Sequence, residues 1–123
     1  DGSFQLTVQE ISKMIELKQE IIMVVVNNYG YVIESAIHEG PYNYYQNWDY
    51  AALMTAFNGK DGNGLGLTAT TAGELNDAIM QAKAHKGGPV LIECQIDHDD
   101  YTKQLITWGS AAAEANARPP KHV

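Results

Sequence analysis

Apolar positions along this chain fall into two periods, one of about three to four residues and one of unbroken runs, and they predict alternating helices and strands. Val8, Ile11, Met14 and Ile15 recur at helical spacing up to Lys18, behind a Thr7 and Glu10 pair with capping-box spacing. Ile21 to Val26 is a continuous apolar run without alternation, which predicts a strand covered on both faces in a parallel sheet. The chain is then expected to turn through Gly30 and begin a short helix near Val32 that stops before Gly40-Pro41. Asp49 is placed to cap a helix carrying Ala52, Leu53, Ala56 and Phe57, which ends at Asn58-Gly59. Thr71 and Glu74 make a second capping box ahead of Leu75, Ala78, Ile79 and Ala82, with a stop at Gly87-Gly88. Pro89 to Ile96 reads as the next buried strand. Asp97-His98-Asp99-Asp100 is expected to open a last helix bearing Leu105, Ile106 and Trp108, with Ala-rich sequence running to Pro119-Pro120 and residues 109–123 taken as a tail.

This alternation is that of an α/β fold, an open and mostly parallel sheet with helices on both faces. About three strands are visible where a doubly wound sheet holds roughly five or six, so the first strands are expected upstream of Asp1. Residues 1–123 are then the carboxyl-terminal portion of a domain.

Composition narrows the partners. The 123 residues are 45% hydrophobic and 19% charged, with a formal net charge of −7. No Lys/Arg stripe exists to displace counterions from phosphates, so no nucleic-acid partner is expected. The longest strongly apolar run is too short for a bilayer, so no membrane association is expected, and a cytoplasmic location follows. Cys94, the single cysteine, lies in an apolar run and reads as a buried structural thiol. Tyr42, Tyr44, Tyr45, Trp48 and Tyr50 read as rings packing a loop against a domain or subunit face rather than as a substrate box. The glycine-rich stretch Lys60 to Gly66 reads as a surface connection, because a strand-like segment follows it where a phosphate loop would open a helix.

The candidate chemistry sits where the β-branched run ends, in V-V-V-N-N-Y-G-Y-V-I-E from Val24 to Glu34. Asp1 and Asn28 are hard oxygen donors that one helix between neighbouring parallel strands brings to the same sheet edge, which suits Mg²⁺ or Ca²⁺ better than zinc. An ion neutralised by a single carboxylate calls for further anionic oxygens, such as those of a diphosphate. Gly30 permits close backbone approach, and a helix start near Tyr31 to Ile33 aims N–H groups at an anion.

The pattern becomes specific when taken together. D-G-S, the 24 residues from Ser3 through Val26, and N-N resemble the thiamine diphosphate motif without its first glycine. D-G-S-F-Q-L-T-x-Q-E, N-N-Y-G-Y-V-I-E, I-H-E-G-P-Y-N, N-W-D-Y, L-I-E-C-Q-I, D-D-Y-T-K-Q-L and A-N-A-R-P-P resemble the pyruvate decarboxylase family in its bacterial and plant branch, over essentially the whole chain. That resemblance implies a carboxyl-terminal piece of the diphosphate-binding domain, with thiamine diphosphate and Mg²⁺ as cofactors. It implies Asp1, the Asn28 side chain and the Gly30 carbonyl as metal ligands. Ser3 and the N–H groups of Gly2, Tyr31 and Val32 would neighbour the diphosphate, and Asn27 would support the turn. Glu34 would be the acid/base, kept protonated near neutral pH by burial beside Ile33, and Ile33 would border a pocket for a small 2-oxo acid. Val32 stands where many relatives have threonine.

The implied reaction is the non-oxidative decarboxylation of pyruvate to acetaldehyde and carbon dioxide. The family's activating glutamate comes from the amino-terminal domain of a neighbouring subunit, so the 123 residues alone are expected to be inactive and to belong to a longer polypeptide in a homodimer or homotetramer. The family's adjacent histidine pair would also lie upstream, which leaves His38, His85, His98 and His122 structural or solvated. Two alternatives stand beside this reading: a sister enzyme acting on indolepyruvate or phenylpyruvate, and a non-catalytic Rossmann-like module binding metal or nucleotide. Without the resemblance, Glu34 would read as a surface acid pairing with His38, and the acids at 97–100 as helix-start charges rather than a metal site.

Overall fold

Strand β3 (Val90–Gln95) lies at the centre of a three-stranded parallel sheet, flanked by β1 (Ile22–Asn27) and β2 (Leu65–Ala69) in the order β1-β3-β2. The computed structural model describes residues 1–117. Val26 pairs with Cys94 and Asn27 with Gln95, so the carboxyl ends of β1 and β3 finish level with each other. Among the described residues there are six helices, α1 (Gly2–Gln5), α2 (Glu10–Glu16), α3 (Val32–Ile37), α4 (Tyr50–Asn58), α5 (Ala72–Ala84) and α6 (Lys103–Asn116), with a 3-10 turn at Pro41–Asn43.

The two sheet faces have separate cores. Ile11 and Ile15 of α2, Tyr50 and Met54 of α4, Val25 and Leu91 cluster on one side. Ala78 and Ala82 of α5 pack with Ala69, Val90 and Ile92 on the other. The α/β class with helices on both faces is therefore as the patterning predicts. β3 is buried through Glu93, as a central strand must be. β1 is not the doubly covered strand its apolar run suggests. Ile22, Val24 and Val26 are 45%, 54% and 48% exposed, because they stand on the α5 side of the sheet and α5 packs over β2 and β3 without reaching the edge strand.

Local signals held unevenly. α5 has its capping box, with Glu74 N–H donating to Thr71 Oγ1 at 3.2 Å and Glu74 Oε2 accepting from Thr71 N–H at 3.1 Å. Asp49 caps α4 through the Ala52 N–H at 2.8 Å. The box expected at Thr7 and Glu10 does not form. A short α1 uses up the segment before it, and the chain enters α2 through tight backbone bonds such as Glu10 N–H to Thr7 O at 3.0 Å, with Gln9 as an N-cap lacking a side-chain bond. The acids at 97–100 do not open the last helix. α6 begins at Lys103, capped by Thr102, whose hydroxyl oxygen accepts the Leu105 N–H at 3.3 Å. It continues to Asn116, so the tail expected over 109–123 is helical in its first half, and Pro119, Pro120 and His122 lie outside the described residues. Ile106 and Trp108 are exposed, and α6 instead buries Gly109 against Ala36 of α3.

The glycine-rich loop is a connection. The Asn58 amide closes it by donating to Gly64 O at 2.8 Å and accepting from Gly64 N–H at 2.6 Å, and β2 follows at once. Within β2, a Cβ on Gly66 would stand 2.0 Å from the Ala51 carbonyl oxygen, so α4 lies directly on the strand backbone there. Gly66→Ala must push α4 off the sheet and is expected to cost about 3 kcal/mol. In α5, a Cβ on Gly73 meets nothing nearer than Thr71 Oγ1 at 4.0 Å, and Gly73→Ala is expected to fall within about 0.5 kcal/mol of the parent. Urea titration of the full-length protein carrying each substitution separates the two.

Candidate metal and diphosphate site

The end of β1 and the first residues of the chain meet at one edge of the sheet. The Asp1 nitrogen donates to Val26 O at 3.0 Å, and Asp1 caps α1 by accepting the Gly2 N–H on Oδ1 at 2.8 Å. Its second carboxylate oxygen, Oδ2, is buried without a hydrogen-bond partner. β1 gives way after Asn27 to a sharp turn in which Tyr29 adopts a left-handed φ of 64°. The turn is held by Asn27, whose Oδ1 accepts the Tyr29 N–H at 3.3 Å, which is the supporting role expected of it.

Asn28 then points back at Asp1. One end of its amide lies 3.1 Å from Asp1 Oδ1 and 3.2 Å from Gly30 O. Which end faces inward follows from what lies between these groups: the NH₂ can donate to both oxygens when nothing does, and the amide oxygen faces them when a cation does. Adjacent ligands of an octahedral Mg²⁺ with bonds of about 2.1 Å stand roughly 3 Å apart, which matches the two spacings about the Asn28 amide. The orphaned Asp1 Oδ2 is a further sign of an unfilled electrostatic demand. Among the described residues no three His, Cys, Asp or Glu side chains group to hold an ion, so this mixed set of carboxylate, amide and carbonyl is the candidate.

The three groups open onto a cleft of about 510 Å³. Every site residue expected from the sequence lines it: Asp1, Gly2, Ser3, Asn28, Gly30, Tyr31, Val32, Ile33 and Glu34. Among the described residues its walls carry the carboxylates of Asp1, Glu34 and Asp100 and no Lys, Arg or His side chain. An anionic ligand could settle here only with a cation supplied to it.

Two of the expected donors are already engaged. The Tyr31 N–H donates to Asn43 O at 2.9 Å, and the Gly2 N–H is turned to Asp1. The Val32 N–H opens α3 and has no intrahelical acceptor. Glu34 is exposed, so the apolar burial expected beside Ile33 is not supplied by this chain. Nor does Glu34 pair with His38, whose Nδ1 instead contacts the Tyr42 hydroxyl. Glu34 also borders a second cavity of about 320 Å³, lined by Tyr31, Ile37, His38, Tyr42 and Asn43.

Aromatic packing fixes the Asp1 side of the site. Tyr31 and Tyr45 meet edge to face at 4.9 Å, and Gly2 fits against both, since a Cβ there would stand 2.5 Å from the Tyr31 ring and 2.8 Å from that of Tyr45. Phe4 of α1 packs edge-on against Tyr50, while Gln5 Nε2 donates to the Tyr50 hydroxyl at 2.9 Å. Burial pushes the Tyr45 hydroxyl up to about 12 and raises that of Tyr50. Tyr45, Trp48 and Tyr50 thus pack a loop against the domain, as expected, while Tyr42 and Tyr44 stay exposed. Cys94 is half-buried, and burial raises its thiol.

The start of α6 was missed. Asp100, Tyr101, Thr102 and Leu105 line the same cleft. The three acids Asp97, Asp99 and Asp100 masked Thr102, although a threonine directly ahead of K-Q-L-I is an N-cap signal in its own right. His98 stacks on Tyr44 at 5.8 Å and bonds Asp99, and His85 bonds Asn63 O at 2.8 Å. No helix among the described residues is long and apolar enough to cross a membrane.

The profile of the thiamine pyrophosphate enzyme C-terminal TPP binding domain matches residues 1–94. A pyruvate decarboxylase from Neurospora crassa is 58% identical over all of this chain and 22% of its own length. A probable pyruvate decarboxylase from Schizosaccharomyces pombe is 56% identical over 98% of the chain and 21% of its own length. Pyruvate decarboxylase 1 of Oryza sativa is 45% identical over 98% of the chain and 20% of its own. The likeness therefore extends to fungal proteins beyond the bacterial and plant branch. The chain spans about a fifth of the length of these curated relatives. On this match and the identities along its whole length, the chain belongs to the thiamine pyrophosphate enzymes and carries their C-terminal TPP binding domain.

Proposed function

We propose that this chain supplies the metal and diphosphate half of a thiamine diphosphate-dependent pyruvate decarboxylase. The observation that carries the reading is the meeting of Asp1, Asn28 and Gly30 O, with Mg²⁺-like spacing about the Asn28 amide, in a cleft that no cationic side chain lines among the described residues. The relatives named as pyruvate decarboxylases support the substrate.

Asp1 Oδ1, the Asn28 amide oxygen and Gly30 O would bind Mg²⁺, which neutralises the diphosphate that the acidic walls otherwise repel. Ser3 and the Val32 N–H face that group, while Gly2 and Tyr31 form its wall with their own N–H groups spent inside the protein. Bound there, thiamine diphosphate supplies a thiazolium that accepts the electron pair left when a 2-oxo acid loses carbon dioxide. Glu34, two residues beyond Val32 on α3, holds and delivers the proton that the product acquires. Ile33 narrows the pocket toward a small 2-oxo acid such as pyruvate. The rest of the polypeptide completes the site around the exposed Glu34, in a homodimer or homotetramer located in the cytoplasm.

In the full-length protein, Asp1→Ala removes the only carboxylate of the metal set. Losing an outer partner of a metal ligand costs about 10 to 100-fold in affinity, so loss of the ligand itself is expected to raise the Mg²⁺ requirement for cofactor binding by at least about 100-fold. Calorimetric titration reads this directly, and an unchanged requirement would move the metal elsewhere. Glu34→Gln is expected to lower turnover by roughly 100 to 10,000-fold with cofactor affinity retained. Turnover equal to the parent's would remove Glu34 from the chemistry.

A further inference from the structure

We propose that Glu93 is a positioning residue for the metal loop: its buried carboxylate orients Asn27, and Asn27 in turn holds the turn that presents Asn28 and Gly30 O to Asp1. The inference rests on the Mg²⁺ reading above.

Glu93 lies in the central strand β3 and is 1% exposed. Its Oε1 accepts from Asn27 Nδ2 at 2.8 Å and from Gln95 Nε2 at 3.3 Å, and its Oε2 accepts the Ala51 N–H at 3.0 Å. All three partners are neutral N–H donors, and no Lys, Arg or His pairs with this carboxylate among the described residues. A carboxyl group withdrawn from water needs such donors, and three of them from separate residues hold this one in a single orientation. The strand does not need it: Val90, Leu91 and Ile92 fill the positions before it with hydrocarbon.

What the carboxylate does need is Asn27 in one orientation. Asn27 is fully buried, and with Nδ2 committed to Glu93 its Oδ1 must face the opposite way, onto the Tyr29 N–H. Tyr29 is in the left-handed region, where a bulky side chain rarely sits without a local hold. A polarity relay therefore runs from carboxylate to amide to turn, and the two metal donors Asn28 and Gly30 flank the residue at its end. The other carboxylate oxygen reaches the first turn of α4 beside Tyr50, whose hydroxyl accepts from Gln5 of α1. One buried group thus ties down the Asn28 side of the site and the support of the Asp1 side.

A merely structural acid and a positioning acid respond differently to a change of polarity at constant shape. Glu93→Gln sets an NH₂ against a donor whichever way it turns, so either Asn27 inverts and releases Tyr29 or the Ala51 N–H loses its acceptor. In the full-length protein the Mg²⁺ concentration that half-saturates thiamine diphosphate binding, read by calorimetry, is expected to rise about tenfold. Adding Asn27→Asp re-matches the relay: the new amide at position 93 donates to the carboxylate introduced at 27, whose second oxygen accepts from Tyr29, while the amide oxygen at 93 accepts from Ala51. The double variant is expected to return to the parental Mg²⁺ requirement. A lowered Tm with an unchanged requirement in Glu93→Gln, or a double variant as impaired as the single ones, would overturn the proposal. Should Glu93→Gln fail to fold, Asn27→Asp alone, which sets two carboxylates face to face, is compared with the double variant by the same criterion. Asp1→Ala in parallel separates the levels: Mg²⁺ binding that depends on Asp1 but not on Glu93 sinks this inference alone, and binding indifferent to Asp1 sinks the metal site with it.

Discussion

Oxygen atoms that face one another with no proton between them repel, and keeping the Asp1 carboxylate, the Asn28 amide and the Gly30 carbonyl together is the constraint on which this structure turns. With no cation between them the Asn28 NH₂ can bridge the other two, and each of the three is also held from outside the set. Asp1 is carried by α1, which is fastened through Gly2, Phe4 and Gln5 to Tyr31, Tyr45 and Tyr50. Asn28 and Gly30 hang on a turn fixed by Asn27. The Asp1 nitrogen donates to Val26 O near the end of β1, the strand from which Asn28 and Gly30 follow, so both halves of the set are referred to that one strand end.

The distribution of buried polarity follows from that constraint. Among the described residues the buried polar or charged side chains are Asn27, Asn43 and Glu93. Asn27 and Glu93 brace the turn. Asn43 ties the following loop to α3, donating to His38 O at 2.9 Å while its own carbonyl accepts the Tyr31 N–H. Each buried polar group costs free energy unless paired, and all three are paired at the same edge of the sheet. The two apolar clusters beneath pack the faces of the sheet, with Ile11, Met54 and Leu91 on one side and Ala78, Val90 and Ile92 on the other. The polar edge and the apolar clusters meet at Tyr50, which packs in one core and bonds Gln5 of α1, while the turn itself is braced by polar bonds, so a conservative change of polarity at this edge can alter metal binding without emptying a core.

Much of this was legible in the chain, and the failures have physical causes. The capping signals at Asp49 and Thr71 and the helix stop at Asn58-Gly59 are local, and local chemistry decided them, whereas α5 already ends at Ala84, with an extended His85 as its C-cap, ahead of the expected stop at Gly87-Gly88. Every expected site residue was brought to one cleft, because an Asp-Gly start and an Asn-Asn turn joined by one helix-strand unit can reach the same edge. The Thr7 box failed because Phe4 and Gln5 are drawn into a short helix by contacts to Tyr50, some forty-five residues away, which no nearby residue announces. The engaged Tyr31 N–H is similar: its acceptor, Asn43 O, belongs to a loop whose path periodicity does not encode. The role of Glu93 was invisible because a glutamate in an apolar run is only an anomaly until its three donors are in place.

β1 shows how a strand can satisfy one demand and leave another open. Its alternate side chains divide cleanly, Val25 into the core with Ile11 and Met54, and Ile22, Val24 and Val26 outward. Apolar β-branched residues on both faces of a strand are costly in water unless both faces are covered, so the composition of β1 is that of an interior strand although this chain makes it an edge. Glu34 presents the same mismatch at the site, with an acid placed beside Ile33 yet open to solvent. The strand and the acid lie on the same margin of the sheet, and whatever covers that margin would complete a core and enclose a reaction site together. Coupling the two makes cofactor capture and domain assembly mutually reinforcing, since a ligand bound by the assembled form alone stabilises that form by mass action.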